Sequence, residues 1–89
     1  MAPYTKDPQA KADYGVNWTA WLAGDTISSS TWVSVPTGLT HSNPTNSTTN
    51  TTVWLAGGTV DTVYRVTNHI VTAAGRENDE TFRIIVREG

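Results

Sequence analysis

Alternating apolar and polar residues in the last third of the chain indicate two long β-strands joined by a turn. A spacing of two residues is typical of a strand with one buried face. The alternating stretches are 62–72 and 80–87, and the apolar positions are Tyr64, Val66 and Ile70 in the first and Phe82, Ile84 and Val86 in the second. Between them, residues 73–79 contain Gly, Asn and Asp, which favour a turn. Because two strands alone are marginally stable in water, a second layer must cover their apolar face.

Shorter alternating stretches earlier in the chain are predicted to supply that second layer. We expect strands near residues 13–18, 26–35, 39–42 and 51–56, with turn residues between them. Within the second of these, alternation places Ile27, Val33 and Val35 on one face. Trp32 then falls on the opposite, more exposed face. The sixteen Thr and nine Val residues suit pleated strands, and the pattern predicts an all-β sandwich of about six or seven strands.

Three large apolar residues interrupt the alternation. Trp18, Trp21 and Leu22 follow helical spacing, so we expect one helical turn that ends at Gly24. The two tryptophans are then predicted to fill one end of the core. The alternative is an aromatic platform for a sugar or a protein partner.

The stretch from residue 40 to 52 is almost entirely polar. Eleven of its 13 residues are Thr, Ser or Asn, with His41 and Pro44 as the exceptions. Such a composition cannot drive burial. The pattern therefore leaves two possibilities, a loop or a strand that is polar on both faces, and either could form a contact surface.

The first residues of the chain are predicted to form a separate segment. Residues 1–12 hold two of the four prolines, and proline cannot donate a hydrogen bond to a sheet. We expect an extended arm or edge segment there, followed by the sandwich domain at residues 13–89. Terminal arms are often ordered only by a neighbouring molecule, so we expect removal of this arm to leave the fold intact.

Charge and composition argue against several classes of partner. Eight acidic and six basic residues are scattered along the chain, for a net charge of −2, whereas nucleic-acid binding requires clustered Lys and Arg. No apolar run approaches the length of about 20 residues that spans a bilayer. The absence of cysteine excludes disulfides and thiolate metal sites. The first residues lack the apolar core of a signal peptide, so we expect synthesis and folding in a cytoplasm.

No combination of residues indicates catalysis or a cofactor. His41 and His69 are the only histidines, and we expect both on the solvated surface, without metal-ligand spacing. The acidic run 77–80 lacks the alternation of a calcium loop and is predicted to be a solvated hairpin tip. Gly57 and Gly58 are not followed by the Lys of a phosphate loop. We therefore predict no enzyme, no cofactor and no metal site.

Several motifs together resemble a known family. The most specific are Lys6-Asp7-Pro8, Trp18 with Trp21-Leu22, and the corner Trp54-Leu55-Ala56-Gly57-Gly58-Thr59, with further matching stretches at 13–14, 24–27, 35–39, 64–67 and 72–76. The chain resembles the small immunoglobulin-like proteins of tailed-bacteriophage and prophage structural modules. Members of this family are commonly labelled fibre–tail adaptors or virion structural proteins. The resemblance covers nearly the whole chain.

The resemblance implies an immunoglobulin-like antiparallel β-sandwich and a non-catalytic role in the virus particle. The protein would be an adaptor between the tail or neck and a fibre or spike, in multiple copies, contacting tail, neck, fibre or capsid subunits but neither nucleic acid nor membrane. A rigid sandwich with sheet edges, a proline-bearing arm and outward tryptophans suits such a role. The candidate interface residues are Pro3, Tyr4, Lys6, Asp7, Pro8, Trp32 and Trp54.

Two other functions fit the same features. A capsid decoration protein would use a similar fold and arm, and would be present in far more copies per particle. A carbohydrate-binding module would use the tryptophans to contact host glycans, so a glycan should change its tryptophan fluorescence.

Overall fold

Two sheets packed face to face make up the computed structural model, which describes residues 4–88. The strands are β1 (Tyr4–Lys6), β2 (Lys11–Asn17), β3 (Ile27–Val35), β4 (Leu39–Asn46), β5 (Asn50–Gly57), β6 (Val63–Thr72) and β7 (Glu77–Val86), and the one-turn helix α1 spans Thr19–Leu22. The four-stranded sheet has the order β1-β7-β6-β3, and the three-stranded sheet has the order β2-β5-β4. The prediction of an all-β sandwich is confirmed.

The C-terminal hairpin forms the centre of the core, as its alternation predicts. In the β6–β7 register, Tyr64 lies opposite Ile84 and Val66 lies opposite Phe82. These four side chains are buried against the second sheet. The buried residues that cover them from the other layer and from the loop at α1 are Val16, Trp18, Leu22, Val53 and Leu55. Burial of each such apolar side chain contributes about 1.5–3 kcal/mol.

The predicted helical turn is present and closes one end of the sandwich. Leu22 and Trp18 are buried, and Trp21 packs edge-on against Trp18 with 5.7 Å between ring centroids. The helix ends where Ala23 and Gly24 take positive φ angles of 49° and 95°. The tryptophans of this turn therefore belong to the core and its margin.

A β-bulge in β3 makes the predicted faces of this strand wrong. Ile27 lies opposite Thr72, but Ser29 lies opposite Val71, so β3 contains one extra residue. The extra residue reverses the inward and outward positions that follow it. Ile27 is buried as predicted, but from Ser29 onward the faces are exchanged.

The exchange turns the valines outward and the tryptophan inward. Val33 and Val35 are 58% and 62% exposed, although the pattern predicted them on the face of Ile27. Trp32 was predicted to be exposed, yet it is half-buried and packs edge-on against Phe82 at 6.2 Å between ring centroids.

The Thr- and Asn-rich stretch folds as most of β4, a turn, and the polar first residues of β5. The hydroxyl oxygen of Ser47 accepts hydrogen bonds from the backbone N–H groups of Thr49 and Asn50, at 3.3 and 3.1 Å, and this holds the turn between β4 and β5. A second irregularity lies between Ser42 and Thr45, where Asn43 takes a positive φ of 46°. Of the two structures predicted for this stretch, a loop or a polar strand, the protein has the strand.

The N-terminal segment is built into both sheets. β1 pairs in parallel with β7, and β2 begins at Lys11, so the predicted boundary between residues 12 and 13 falls inside a strand. Between β1 and β2, Asp7 forms a turn: its backbone oxygen accepts from the N–H of Ala10 (3.0 Å) and its carboxylate from that of Gln9 (2.8 Å). The segment therefore crosses from one sheet to the other, and its role as a separable arm stays a prediction.

Candidate contact surfaces

Lys6 is a structural residue and not an exposed contact. It is 3% exposed, and its ammonium group donates to the carbonyl oxygens of Gly57 (2.7 Å) and Asp7 (2.9 Å). Burial lowers the pKa of this ammonium group below its ordinary value of 10.5. Because Gly57 belongs to the corner that follows β5, the Lys-Asp-Pro segment and this corner hold each other in place.

Tyr64 and close packing fix the same corner from inside the core. The Tyr64 hydroxyl oxygen accepts the backbone N–H of Thr59 at 2.8 Å. Hydrogen bonding to the side chain and to the backbone of Thr59 lowers the pKa of the phenol. Gly58 has a φ of +101°, and a Cβ atom there would lie 2.7 Å from a methyl group of Val86. The corner therefore requires glycine for both its backbone conformation and its space.

Tyr4 borders the sandwich at the edge strand β1. Its ring is exposed on one side and packs edge-on against Tyr14 and Phe82, at 5.1 and 5.4 Å between centroids. Asp7 and Pro8 follow it in the half-buried turn. These three residues form one candidate surface, which we call the N-terminal edge. Pro3, the remaining candidate of the segment, lies outside the described residues.

Trp54 lies on the outer face of the three-stranded sheet, separate from the N-terminal edge. It occupies the central strand β5 and is paired in register with Asp13 of β2 and Ser42 of β4. The side chain is 37% exposed, so it can anchor a partner as predicted from its alternation. The interface role of Trp54 stays a prediction.

Trp32 lines a cleft between the two sheets, where β3 and β4 leave their edges side by side. The cleft has a volume of about 320 Å³, and His41 and Pro44 form its other wall. The Trp32 indole N–H is buried without a hydrogen-bond partner among residues 4–88. Burial lowers the pKa of His41, whose Nε2 lies 3.0 Å from the hydroxyl oxygen of Ser34. Trp32 is therefore not an outward anchor, and His41 is partly shielded instead of fully solvated.

The outer face of the four-stranded sheet carries a charged cluster at one end. Because β7 begins at Glu77, the acidic run lies in the strand and is not the predicted hairpin tip. His69 hydrogen-bonds Asp79 through Nδ1 and Glu77 through Nε2, the latter at 2.9 Å. These two carboxylates raise the pKa of His69, the bond to Asp79 contributing most. The sequence pattern missed this cluster because it depends on the β6–β7 register.

The other end of the same face is basic and apolar. Arg65 lies directly opposite Arg83 in the β6–β7 register. With Val35, Pro36 and Val63, the two arginines line a shallow depression of about 270 Å³. Within the described part of the chain, neither arginine forms an ion pair. The sequence pattern placed Val35 on the wrong face and so missed this patch.

The described residues offer no arrangement for metal chemistry. Among residues 4–88, no group of three or more His, Cys, Asp or Glu side chains could hold a metal ion. Over the same range, no helix is long and apolar enough to cross a membrane. The chemistry of the described surfaces consists of aromatic anchors, unpaired guanidinium groups and sheet edges, which suit binding to other macromolecules.

Comparison with known proteins adds a family and a fold. Residues 6–85 match the family model Gp77, which is described as podophage GP4 fiber-tail adaptor protein gp77. Among solved structures, the chain is similar to the solution structure of the PKD domain from KIAA 1837 protein. The TM-score is 0.64 at 18% identity, over 99% of this chain and 82% of that one, so this likeness shows the fold alone. No curated protein matches the chain significantly.

Proposed function

The chain belongs to the Gp77 family of podophage fiber-tail adaptor proteins, and on this premise we propose that it joins the tail or neck of the particle to a fibre or spike. The family makes it a structural adaptor of the virion, in contact with other virion proteins. The match over residues 6–85 is the observation that carries the proposal. It spans both sheets, so it applies to the whole sandwich.

The surfaces described above support a joint that works by shape complementarity. An adaptor must hold two bodies through one rigid unit, and a sandwich offers separate outer faces, edges and end loops for this purpose. The Trp54 face lies on the three-stranded sheet, and the N-terminal edge lies where β1 closes the four-stranded sheet. Symmetry-related copies in a tail add up weak contacts, so no single surface needs high affinity.

The test is assembly of particles from a genome that lacks this gene. We expect such particles to retain capsid and tail but to lose their fibres and infectivity, and the wild-type gene supplied in trans should restore both. Quantitative mass spectrometry of purified particles should find a small copy number that matches the symmetry of the tail. Fibres present in full without the chain would contradict the proposal, and copies as numerous as capsid subunits would favour the decoration function.

Substitution of the exposed tryptophan tests which surface makes the contact. Trp54→Ala should fold but reduce incorporation into particles by roughly tenfold or more, the size expected for an interface anchor. Thr52→Ala changes the same face of β5 and serves as the control. Titration with host surface glycans should leave the tryptophan fluorescence of the wild type unchanged. A saturable change that Trp54→Ala abolishes would favour the carbohydrate-binding function instead.

A further inference from the structure

The outer face of the four-stranded sheet is polarised along its strands. We call it the polarised face: its basic end carries Arg65 and Arg83, and its acidic end carries Glu77 and Asp79. Outward residues two apart on a strand are about 7 Å apart, so Arg83 and Asp79 are about 13 Å apart along β7. Opposite charges therefore lie at the two ends of one face, too far apart to neutralise each other.

The basic end is unfavourable for this chain alone. Like charges directly opposite each other on neighbouring strands destabilise a sheet, and no carboxylate among residues 4–88 pairs with either arginine. Exposed valines surround the pair: Val35 is 62% and Val63 46% exposed. A monomeric antiparallel sheet normally presents a polar outer face to water. Two arginines that lack carboxylate partners and lie among exposed valines are typical of a surface that another molecule covers.

The two ends are placed symmetrically about the middle of the face. Thr67 and Thr81 form the central row, where their hydroxyl groups are hydrogen-bonded at 2.9 Å. Along β7, Arg83 lies two residues beyond Thr81 and Asp79 lies two residues before it. A two-fold rotation about this row reverses the strand direction and therefore brings the position of Arg83 onto that of Asp79.

We propose that the polarised face binds a second copy of this chain, through a two-fold axis that lies between the two faces and perpendicular to the strands. This arrangement places Arg83 of each copy over Asp79 of the other. Val63 of each copy lies over Val71 of the other, and the two Val33 side chains meet at the axis. Even with His69 protonated, the acidic end keeps one net negative charge opposite the two arginines.

Self-complementarity favours a second copy over an unrelated acidic partner. An acidic partner would satisfy the arginines but would lie next to Glu77 and Asp79 at the other end of the face. A second copy in reversed orientation brings the basic end of each copy over the acidic end of the other, as an isologous interface does: Arg83 lies over Asp79, and Arg65 lies over His69 beside the same carboxylates. The proposal goes beyond the adaptor function and does not depend on it. Such a dimer would carry its two Trp54 faces on opposite outer sides.

Sedimentation equilibrium of the purified chain is the test, at low and at high ionic strength. We expect the wild type to form dimers at low salt and to dissociate when salt screens the charged contacts. Arg83→Glu and Asp79→Arg should each be monomeric, because each places like charges across the interface. Mixed in equal amounts, these two variants should restore the dimer, because the two charges are then exchanged between partners.

Matched controls lie on the other sheet. Lys11→Glu and Asp13→Arg introduce the same two charge changes at exposed positions of β2, and both should dimerise like the wild type. A wild type that stays monomeric at roughly 0.5 mM, where even weak interfaces associate, would overturn the proposal. Dimers that survive both single charge changes, or that the β2 controls disrupt, would overturn it as well. Loss of fibres from gene-deleted particles is a separate readout and tests only the adaptor function.

Discussion

Asn68 is the polar residue on which the interior of this sandwich depends most. It is fully buried on β6, at a position where the alternation of the hairpin calls for an apolar side chain. Its carbonyl oxygen accepts from the indole N–H of Trp18 (2.9 Å) and from the hydroxyl of Thr51 (2.6 Å). Its amide group donates to Ser30 (2.8 Å) and to the backbone oxygen of Thr31 (3.1 Å). One amide therefore ties β6 to both sheets and to the helical turn.

Substitution of Asn68 should destabilise the protein strongly. Asn68→Ala leaves the Trp18 and Thr51 donors buried without an acceptor, so the free energy of unfolding should fall by about 2–4 kcal/mol. Asn46→Ala, at the exposed end of β4, is the control and should cost about 0.5 kcal/mol or less. Urea unfolding followed by tryptophan fluorescence measures both changes. Equal midpoints for the two variants would show that the buried network contributes nothing.

The two histidines have pKa values shifted in opposite directions. The Asp79 and Glu77 carboxylates raise the pKa of His69, whereas burial lowers the pKa of His41. Protonated His69 can donate to both carboxylates, so its contribution to stability is complete below its unfolded pKa of about 6.5 and is lost as the pH rises through the folded pKa. His41 works in the opposite sense: its stability contribution is present above the unfolded pKa and is lost as the pH falls towards the folded one.

Titration of the imidazole signals by NMR should resolve the two histidines on either side of the ordinary value. The unfolding midpoint of His69→Gln should fall less than that of the wild type as the pH rises from the unfolded pKa of histidine through the folded pKa of His69. The variant has no imidazole at this position, so it cannot lose the proton that His69 of the wild type loses in this pH range. His41→Gln should leave the pH dependence of the unfolding midpoint in this range as it is in the wild type. Coincident titration curves for the two imidazoles would contradict the assignment.

Among the elements, β1 combines a structural role with an exposed edge. A segment with two prolines and two lysines predicts an extended arm or edge segment, and β1 is an edge strand that completes the four-stranded sheet by parallel pairing with β7. The backbone N–H of Arg87 also donates to the Lys6 carbonyl oxygen at 2.9 Å, which ties the end of the chain to its beginning. The ammonium group of Lys6 fills the acceptor at Gly57. An edge strand with these contacts stabilises the fold in addition to offering a surface.

Truncation separates these two roles. Deletion of residues 1–6 removes β1 and the Lys6 bonds, so we expect a loss of about 2–4 kcal/mol in the free energy of unfolding. This expectation differs from the one drawn from the sequence, in which removal of residues 1–12 leaves the fold intact. Deletion of residues 1–3 retains all of β1 and is the control, with little expected change. Chemical unfolding of the two truncations checks the difference, and equal stability would restore the interpretation as a separable arm.

On the scale of the whole molecule, the sandwich presents different chemistry on each side. The three-stranded sheet exposes Trp54, the four-stranded sheet exposes the polarised face, and the N-terminal edge lies beside β7. The molecule is elongated, with principal extents of 42 × 22 × 18 Å, and the two sheets turn their outer faces to opposite sides. The particle assembly test addresses the Trp54 face, and the sedimentation test addresses the polarised face. The adaptor proposal and the dimer proposal can therefore each fail without the other.

The local pattern of the sequence determined the strands and the β-sandwich. The β6–β7 hairpin was predictable because its apolar positions follow a period of two on each strand, with Asn68 as the exception in β6, and a buried face enforces that period. The helical turn at Trp21 was predictable because the apolar residues there follow helical spacing. The motifs of the Lys-Asp-Pro segment and the Trp54 corner were sufficient to indicate the family. In the structure these two motifs are in contact through Lys6 and Gly57.

Tertiary structure alone decided which side chains of β3 face outward and which charged groups meet. The bulge near Ser28 has no signal in the alternation, yet its one extra residue exchanged the positions of Trp32 and Val35. Lys6, Asn68 and His69 each depend on partners that lie far away in the chain or across a strand register. The spacing of apolar residues describes one strand at a time. Burial of a polar group depends instead on the hydrogen-bond partners that other strands place beside it. For this reason the polarised face and the cleft at Trp32 became visible only with the fold.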